Sequence, residues 1–291
     1  MVVKYLDSVL FGVLYQQGAV YSLIAIAGAM ALFAVAASRA RQLTPSGAWA
    51  AWCVGLIVTW GLGSGGLFLL FFFFLSAALL GKLFKKSPVR RSAGILQEKG
   101  GRRDSLQVLA NGGAATLAAL LVALDPGNTA ALAMFGAALA EAVADTWAGE
   151  IGIHALKPPR SLRTGLPVEP GMSGGVTLLG TLAALLGAGV CSILWIVWVA
   201  RNRVQPSSRL AILFVVVMVS GWLGSVLDSW LGATVQAHYR DNRTEKLTER
   251  ATTDGKPNTL VRGILWMDND MVNLMSNLSA VVLAYALAQI V

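Results

Sequence analysis

Five short polar strings interrupt an otherwise apolar chain, and their residue types are those of phosphate and metal chemistry. The first, GGRRDSLQVLANGG at 100–113, sets Arg102 and Arg103 ahead of Asp104, Gln107 and Asn111. The spacing i, i+3, i+7 puts the last three on one helix face. A helix start preceded by two arginines offers free N–H groups and bidentate donors to a phosphate. The same residues would also serve as a basic anchor followed by a helix cap. The second string, ALAEAVADTWAGEIG at 138–152, carries Glu141 and Asp145 four residues apart and Glu150 just beyond. Like charges at that spacing repel, and acidic side chains in an apolar span are costly unless they face a cavity, a partner or an ion. Such a set is expected to hold Mg²⁺ together with substrate phosphates; a structural pairing with a loop arginine is the competing reading.

The third string, GSVLDSWLGATVQ at 224–236, places Asp228 on a face with Ser225, Ser229, Gly232 and Gln236. The fourth, WMDNDMVNLMSN at 266–277, gathers Asp268, Asn269 and Asp270 at a helix cap and repeats Asp270, Asn273 and Asn277 at i, i+3, i+7. Acidic and amide side chains cap helices well, which is enough to account for Asp268 but not for the deeper asparagines. The fifth, KPPRSLRTGLPVEPGMSGG at 157–175, carries Arg160, Arg163 and Thr164 ahead of a glycine-rich turn whose backbone N–H groups could cradle a phosphate. It is not a Walker A motif. His154 and His238 have no spaced partner and read as ordinary loop residues. Cys53 and Cys191 read as small core hydrophobes, and two cysteines exclude a disulfide framework or a cysteine-based zinc site.

The elements that must position these strings are membrane spans. Of the 291 residues 56% are hydrophobic and only 13% charged, against about 25% charged in a soluble domain. Runs of about 20 apolar residues suffice to span a bilayer. They occur at 18–37, 46–62, 66–81, 105–124, 129–149, 173–199, 210–237 and 270–290, which predicts an all-α, polytopic transmembrane helix bundle of about eight spans (seven to nine) in a single domain, 1–291. Residues 1–17 leave room for a short interfacial helix. GLGSGG at 61–66 suits a tight turn and close helix packing.

The net charge of +8 is distributed by loop. With both termini outside, 19 of the 23 lysines and arginines fall on one side, chiefly in the loops 82–104, 150–172 and 238–269. Arg201, Arg203 and Arg209 are the misfits, and Lys4 lies at the outer N-terminus. Basic loops belong in the cytoplasm, so the expected setting is a bacterial inner membrane with the site facing the cytoplasm. The basic charge is accounted for by topology and calls for no nucleic-acid partner. All five polar strings fall on the same side.

The strings GRRDSLQVLANGG, EAVADTWAGEIG, PRSLRTGLPVEPGMSGGVTLLG, GSVLDSWLGA and DNDMVNLMSN, in that order over roughly 20–290, resemble the integral-membrane family catalogued as domain of unknown function 92, which includes plant and cyanobacterial phytyl-phosphate kinases. The resemblance implies a CTP-using kinase that converts an isoprenoid monophosphate to the diphosphate. By a further likeness to dolichol kinases and phosphatidate cytidylyltransferases, Asp145 and Glu150 with Arg160, Arg163 and Thr164 would carry CTP and Mg²⁺; those enzymes commonly have a Lys-Thr pair where this chain has Arg163-Thr164. The expected division of labour is Asp145, Asp228 and Asp270 as catalytic residues. Metal ligands are expected among Glu141, Asp145, Glu150, Asp228, Asp268 and Asp270. Phosphate binding is expected from Arg102, Arg103, Gln107, Asn111, Arg160, Arg163, Thr164, Asn269 and Asn273. A transporter of a cation or phosphorylated solute, and a cytidylyltransferase forming a CDP-lipid, would use much the same side chains.

Overall fold

The computed structural model describes residues 19–90, 102–202 and 207–290. The interfacial helix expected within 1–17, residues 91–101 of the first long basic loop, and Arg203 lie outside the described residues. Seven helices dominate: α1 (Ala19–Arg39), α2 (Pro45–Leu83), α3 (Ser105–Leu124), α4 (Thr129–Gly152), α5 (Leu178–Asn202), α6 (Ser207–Thr234) and α7 (Asn269–Ala288). Of these, α2 to α7 are each long and apolar enough to cross a membrane.

The eight expected spans appear as seven helices because the second and third are joined in α2. That helix is broken at Gly63, whose φ of 65° and ψ of −154° are open to glycine and strained for other residues. The break reverses the chain. The Arg103 backbone lies against Gly47 near the start of α2, while its guanidinium sits 5.6 Å from the Phe73 ring. On a straight helix those two contact points would be about 39 Å apart. Helix α2 is therefore a hairpin whose tip lies at one end of the bundle and whose two arms both return to the other. Its first arm starts as the sequence signals: Thr44 accepts from the Gly47 N–H at 3.1 Å, and Pro45 fills the first turn.

Helix α4 is the shaft of the bundle and touches α2, α3, α5, α6 and α7. Its run from Ala130 to Ala144 is buried throughout, save Met134, and consists mostly of alanine. Small residues let the backbones approach where lipid supplies no hydrophobic drive between helices. A Cβ on Gly221 of α6 would sit 2.5 Å from the Ala140 Cβ and 2.9 Å from the Glu141 backbone nitrogen. Gly221→Val is accordingly expected to lower stability by about 1–3 kcal/mol, read as a fall in the thermal midpoint of the detergent-solubilised protein.

The polar end carries a small cap built from the expected loops 150–172 and 238–269 and from the first residues of the expected sixth span, which are not helical. Strands β1 (Arg160–Ser161) and β2 (Gly175–Val176) pair antiparallel. Between α6 and α7, β3 (His238–Arg240) is flanked by β4 (Leu247–Thr248) and β7 (Thr259–Arg262), and β5 (Thr252–Thr253) pairs with β6 (Lys256–Pro257). The cap is tied to the bundle by Ala237 N–H to Met267 O at 2.8 Å and Ile264 N–H to Val235 O at 2.9 Å. Cys191 is buried as expected, but Cys53 faces outward. His154 lies in the turn after α4, as expected, whereas His238 belongs to β3. His238 is buried beside Arg262 with Nδ1 2.9 Å from Gln236 O, and burial holds its imidazole below the ordinary value. His154 stacks on Phe84 at 4.3 Å.

Candidate functional site

A cavity of about 1400 Å³ opens at the polar end. All five polar strings contribute to its lining, the fifth through its glycine-rich turn. The start of α3 contributes Arg102, Arg103, Gln107 and Asn111; the end of α4, Asp145 and Glu150; α6, Asp228 and Ser229; and the start of α7, Asn269, Asp270 and Asn273. Helix termini bring them together: Asp104 and Gln107 form a reciprocal capping box at the α3 start, and Asp268 caps α7 by accepting from Met271 N–H at 2.9 Å. Below this polar half the cavity continues between apolar side chains of α1 and the hairpin, among them Phe33, Leu70 and Phe71.

The charges are arranged unevenly. Arg102 is taken by the protein itself, donating from Nε and Nη2 to Leu43 O at 3.1 and 2.9 Å. Glu150 is paired with Arg90. Arg103 makes no ion pair among the described residues. Its guanidinium lies over the Phe73 and Phe74 rings at 5.6 and 5.9 Å, and burial pulls it below the ordinary arginine range. A cation so placed is partly desolvated and favours an anion beside it. Asp145 makes neither a hydrogen bond nor an ion pair among the described residues, yet lies close enough to Glu141 and Asp228 for the charges to interact.

Glu141 does not line the cavity. It is enclosed between α4, α6 and α7, where Ser276 Oγ donates to its Oε1 at 2.8 Å and Asn277 Nδ2 to its Oε2 at 2.5 Å. Ser276 Oγ also contacts Asp228 Oδ2 at 3.1 Å, so Glu141 is linked to the cavity wall through Ser276 and Asp228. Asp268 is held as a cap and also lies outside. Arg160, Arg163 and Thr164, expected beside the carboxylates, sit on an exposed turn outside the cavity; Arg160 Nη1 donates to Gly165 O at 2.8 Å and Thr164 Oγ1 accepts from Leu166 N–H at 3.3 Å. The glycine-rich turn does line the cavity, but three of its N–H groups are already in use. Ser173 N–H donates to Glu249 Oε1 at 2.9 Å, Met172 N–H to Glu169 O and Gly175 N–H to Met172 O. Gly174, at φ +79°, lets this turn press onto the Ala233 backbone. Glu249 and Ser276 were not singled out from the sequence. Ser173 and Glu249 are 76 residues apart, and a serine within an apolar span carries no spacing signal of its own.

Among the described residues no three His, Cys, Asp or Glu side chains form a ready-made metal site. A magnesium ion held by one or two carboxylates, with the remaining positions filled by phosphate and water, asks for less. Asp145 and Asp228 on one cavity wall fit that smaller demand.

A family model described as integral membrane protein DUF92 matches residues 28–281. The chain belongs to the DUF92 integral membrane family. Within DUF92 the chain is similar to Protein PGR of Arabidopsis thaliana, with 28% identity over 265 residues, 84% of this chain and 88% of that protein. It is also similar to two uncharacterized membrane proteins. One, from Methanocaldococcus jannaschii, is 30% identical over 162 residues, 54% of this chain and 63% of its own length. The other, from Synechocystis sp., is 33% identical over 171 residues, 55% of this chain and 65% of its own length. No solved structure matches this DUF92 chain significantly.

Proposed function

We propose that this DUF92 protein is a CTP-dependent kinase that converts an isoprenoid monophosphate to the diphosphate at the cytoplasmic membrane face. The observation that carries the reading is Arg103. A half-buried arginine, its guanidinium over two aromatic rings and with no ion pair among the described residues, shares one cavity with the carboxylates of Asp145 and Asp228, and that cavity continues into an apolar branch. A phosphate with a hydrocarbon tail fits this combination. The acceptor phosphate meets Arg103, with Gln107 and Asn111 beside it. Asp145 and Asp228 would hold Mg²⁺, which when bound supplies charge neutralisation on the nucleotide phosphates. The bond from the terminal phosphorus to the departing nucleoside diphosphate breaks as a bond to the acceptor oxygen forms. The acceptor is already anionic, so positioning and charge compensation carry the step and no strong general base is required. Ser276 and Glu141 hold Asp228 in place from behind.

The test incubates detergent-purified protein with Mg²⁺, a panel of prenyl monophosphates, and CTP or ATP labelled at the α- or γ-position, followed by thin-layer chromatography of the lipids. γ-Label in a prenyl diphosphate is the expected result and names the nucleotide. α-Label in the lipid would replace the kinase by a cytidylyltransferase. No product from folded protein would overturn both enzymatic readings and turn the search to transport in proteoliposomes.

A further inference from the structure

The apolar branch of the cavity has one wall unlike the rest. Its outer side is α1, through Met30 and Phe33; its inner side is the hairpin, through Val54, Leu70 and Phe71. Helix α1 packs chiefly against the hairpin. The contact is made by pliable or edge-on groups. The Met30 sulfur lies against Gly55, 3.0 Å from where a Cβ would be, and Phe33 meets Phe71 and Phe74 edge-to-face at 4.5 and 5.5 Å. A polar tie, Trp52 Nε1–H to Ala27 O at 2.9 Å, spans the seam. The α4 seams are different in kind: there glycine and alanine bring backbones into direct contact, and such packing does not part without losing most of its attraction.

We propose that α1 is a side door, through which the hydrocarbon tail of a membrane lipid monophosphate enters between α1 and the hairpin while its phosphate comes to Arg103. The proposal rests on the reading of a lipid phosphate as acceptor and adds the route and the seat of its tail. Continuity supports it. Arg103 lies over Phe73 and Phe74, and Phe74 also meets Phe33 of the door, so the head site and the tail branch share one stretch of the hairpin. A tail drawn sideways stays in an apolar medium throughout. A tail entering by the polar mouth would expose its whole apolar surface to water.

The experiment uses the full chain with Cys53→Ala and the pair Phe33→Cys and Phe71→Cys, bridged by a reducible bis-methanethiosulfonate reagent. A long-chain alkyl phosphate bearing a terminal diazirine is the probe, and labelled residues are mapped by mass spectrometry. Without the bridge, label is expected on Met30, Leu70 and their neighbours on α1 and the hairpin. Bridging is expected to cut labelling about tenfold, as closing an access element should, and dithiothreitol to restore it. Turnover of a short, water-soluble prenyl monophosphate is expected to survive bridging while turnover of a long-chain one is lost. Labelling that ignores the bridge, or that maps to another pair of helices, overturns the door. Door-dependent labelling without turnover of any prenyl monophosphate upholds the door and removes the kinase. As a second variant, Phe33→Ala widens the seam and is expected to speed labelling; an unchanged rate counts against the proposal.

Discussion

Asp145→Asn is expected to abolish turnover, by about three orders of magnitude or more, since loss of a group that compensates transition-state charge commonly costs that much. The folded protein should survive the change. Asp145 makes no hydrogen bond or ion pair among the described residues, and asparagine is nearly the same size. It also sits close to the carboxyl groups of Glu141 and Asp228, so an uncharged amide in its place adds no repulsion. The thermal midpoint is therefore expected to stay level or rise while activity disappears, the pattern of a residue kept for chemistry at some expense to stability. Mg²⁺ should raise the midpoint of the parent protein through binding to the folded state, and that increment should vanish in the variant. Retained activity in Asp145→Asn would remove the residue from the mechanism.

Arg103→Ala carries the second large effect. Loss of a desolvated, charge-assisted donor to a phosphate is expected to lower kcat/KM for the lipid monophosphate by about two orders of magnitude or more. Lysine should recover only part of this, because a point charge does not reproduce the planar fork and stacks less well on Phe73 and Phe74. The backbone of Arg103, bonded to Gln42 O and Thr44 N–H, is untouched by either change, so the α2–α3 junction should hold. The comparison with Arg102 is the control. Its guanidinium is engaged by Leu43 O, and Arg102→Ala should show up chiefly in thermal stability. Steady-state kinetics that place the larger catalytic loss at Arg102 would invert the assignment.

Much of the fold is legible in the chain because a bilayer imposes long apolar runs, and these survive in composition alone. The helix starts at Asp104 and Asp268 are legible because capping is a local interaction. Even the reversal at Gly63 leaves a trace in GLGSGG. The cap strands leave none: two to four residues are too few to display a period of two, and their pairing partners lie up to two dozen residues away. Within the site, spacing along one helix identifies Asp145, Asn111 and Asn273 as neighbours of something polar. It cannot say which of two adjacent arginines turns inward, nor that Glu141 points away from the cavity toward α7. Those outcomes depend on how separate helices meet. The turn bearing Arg163 and Thr164 shows the same limit in reverse, since nearness in sequence to the α4 carboxylates does not carry it into the cavity.

The reversal at Gly63 bears on how such a protein enters its membrane. The residues at the hairpin tip, from Gly61 to Gly66, include no charge, and the α3–α4 connection at the same end is a four-residue turn, Asp125–Asn128. Charged side chains are what make passage through a hydrocarbon layer expensive. Both arms of α2 can therefore enter together as a folded pair, with only glycine, serine and leucine led across. The catalytic candidates lie at the opposite end of the bundle from this tip. Adding an arginine pair at the tip, beside Ser64, would obstruct that entry without touching the site.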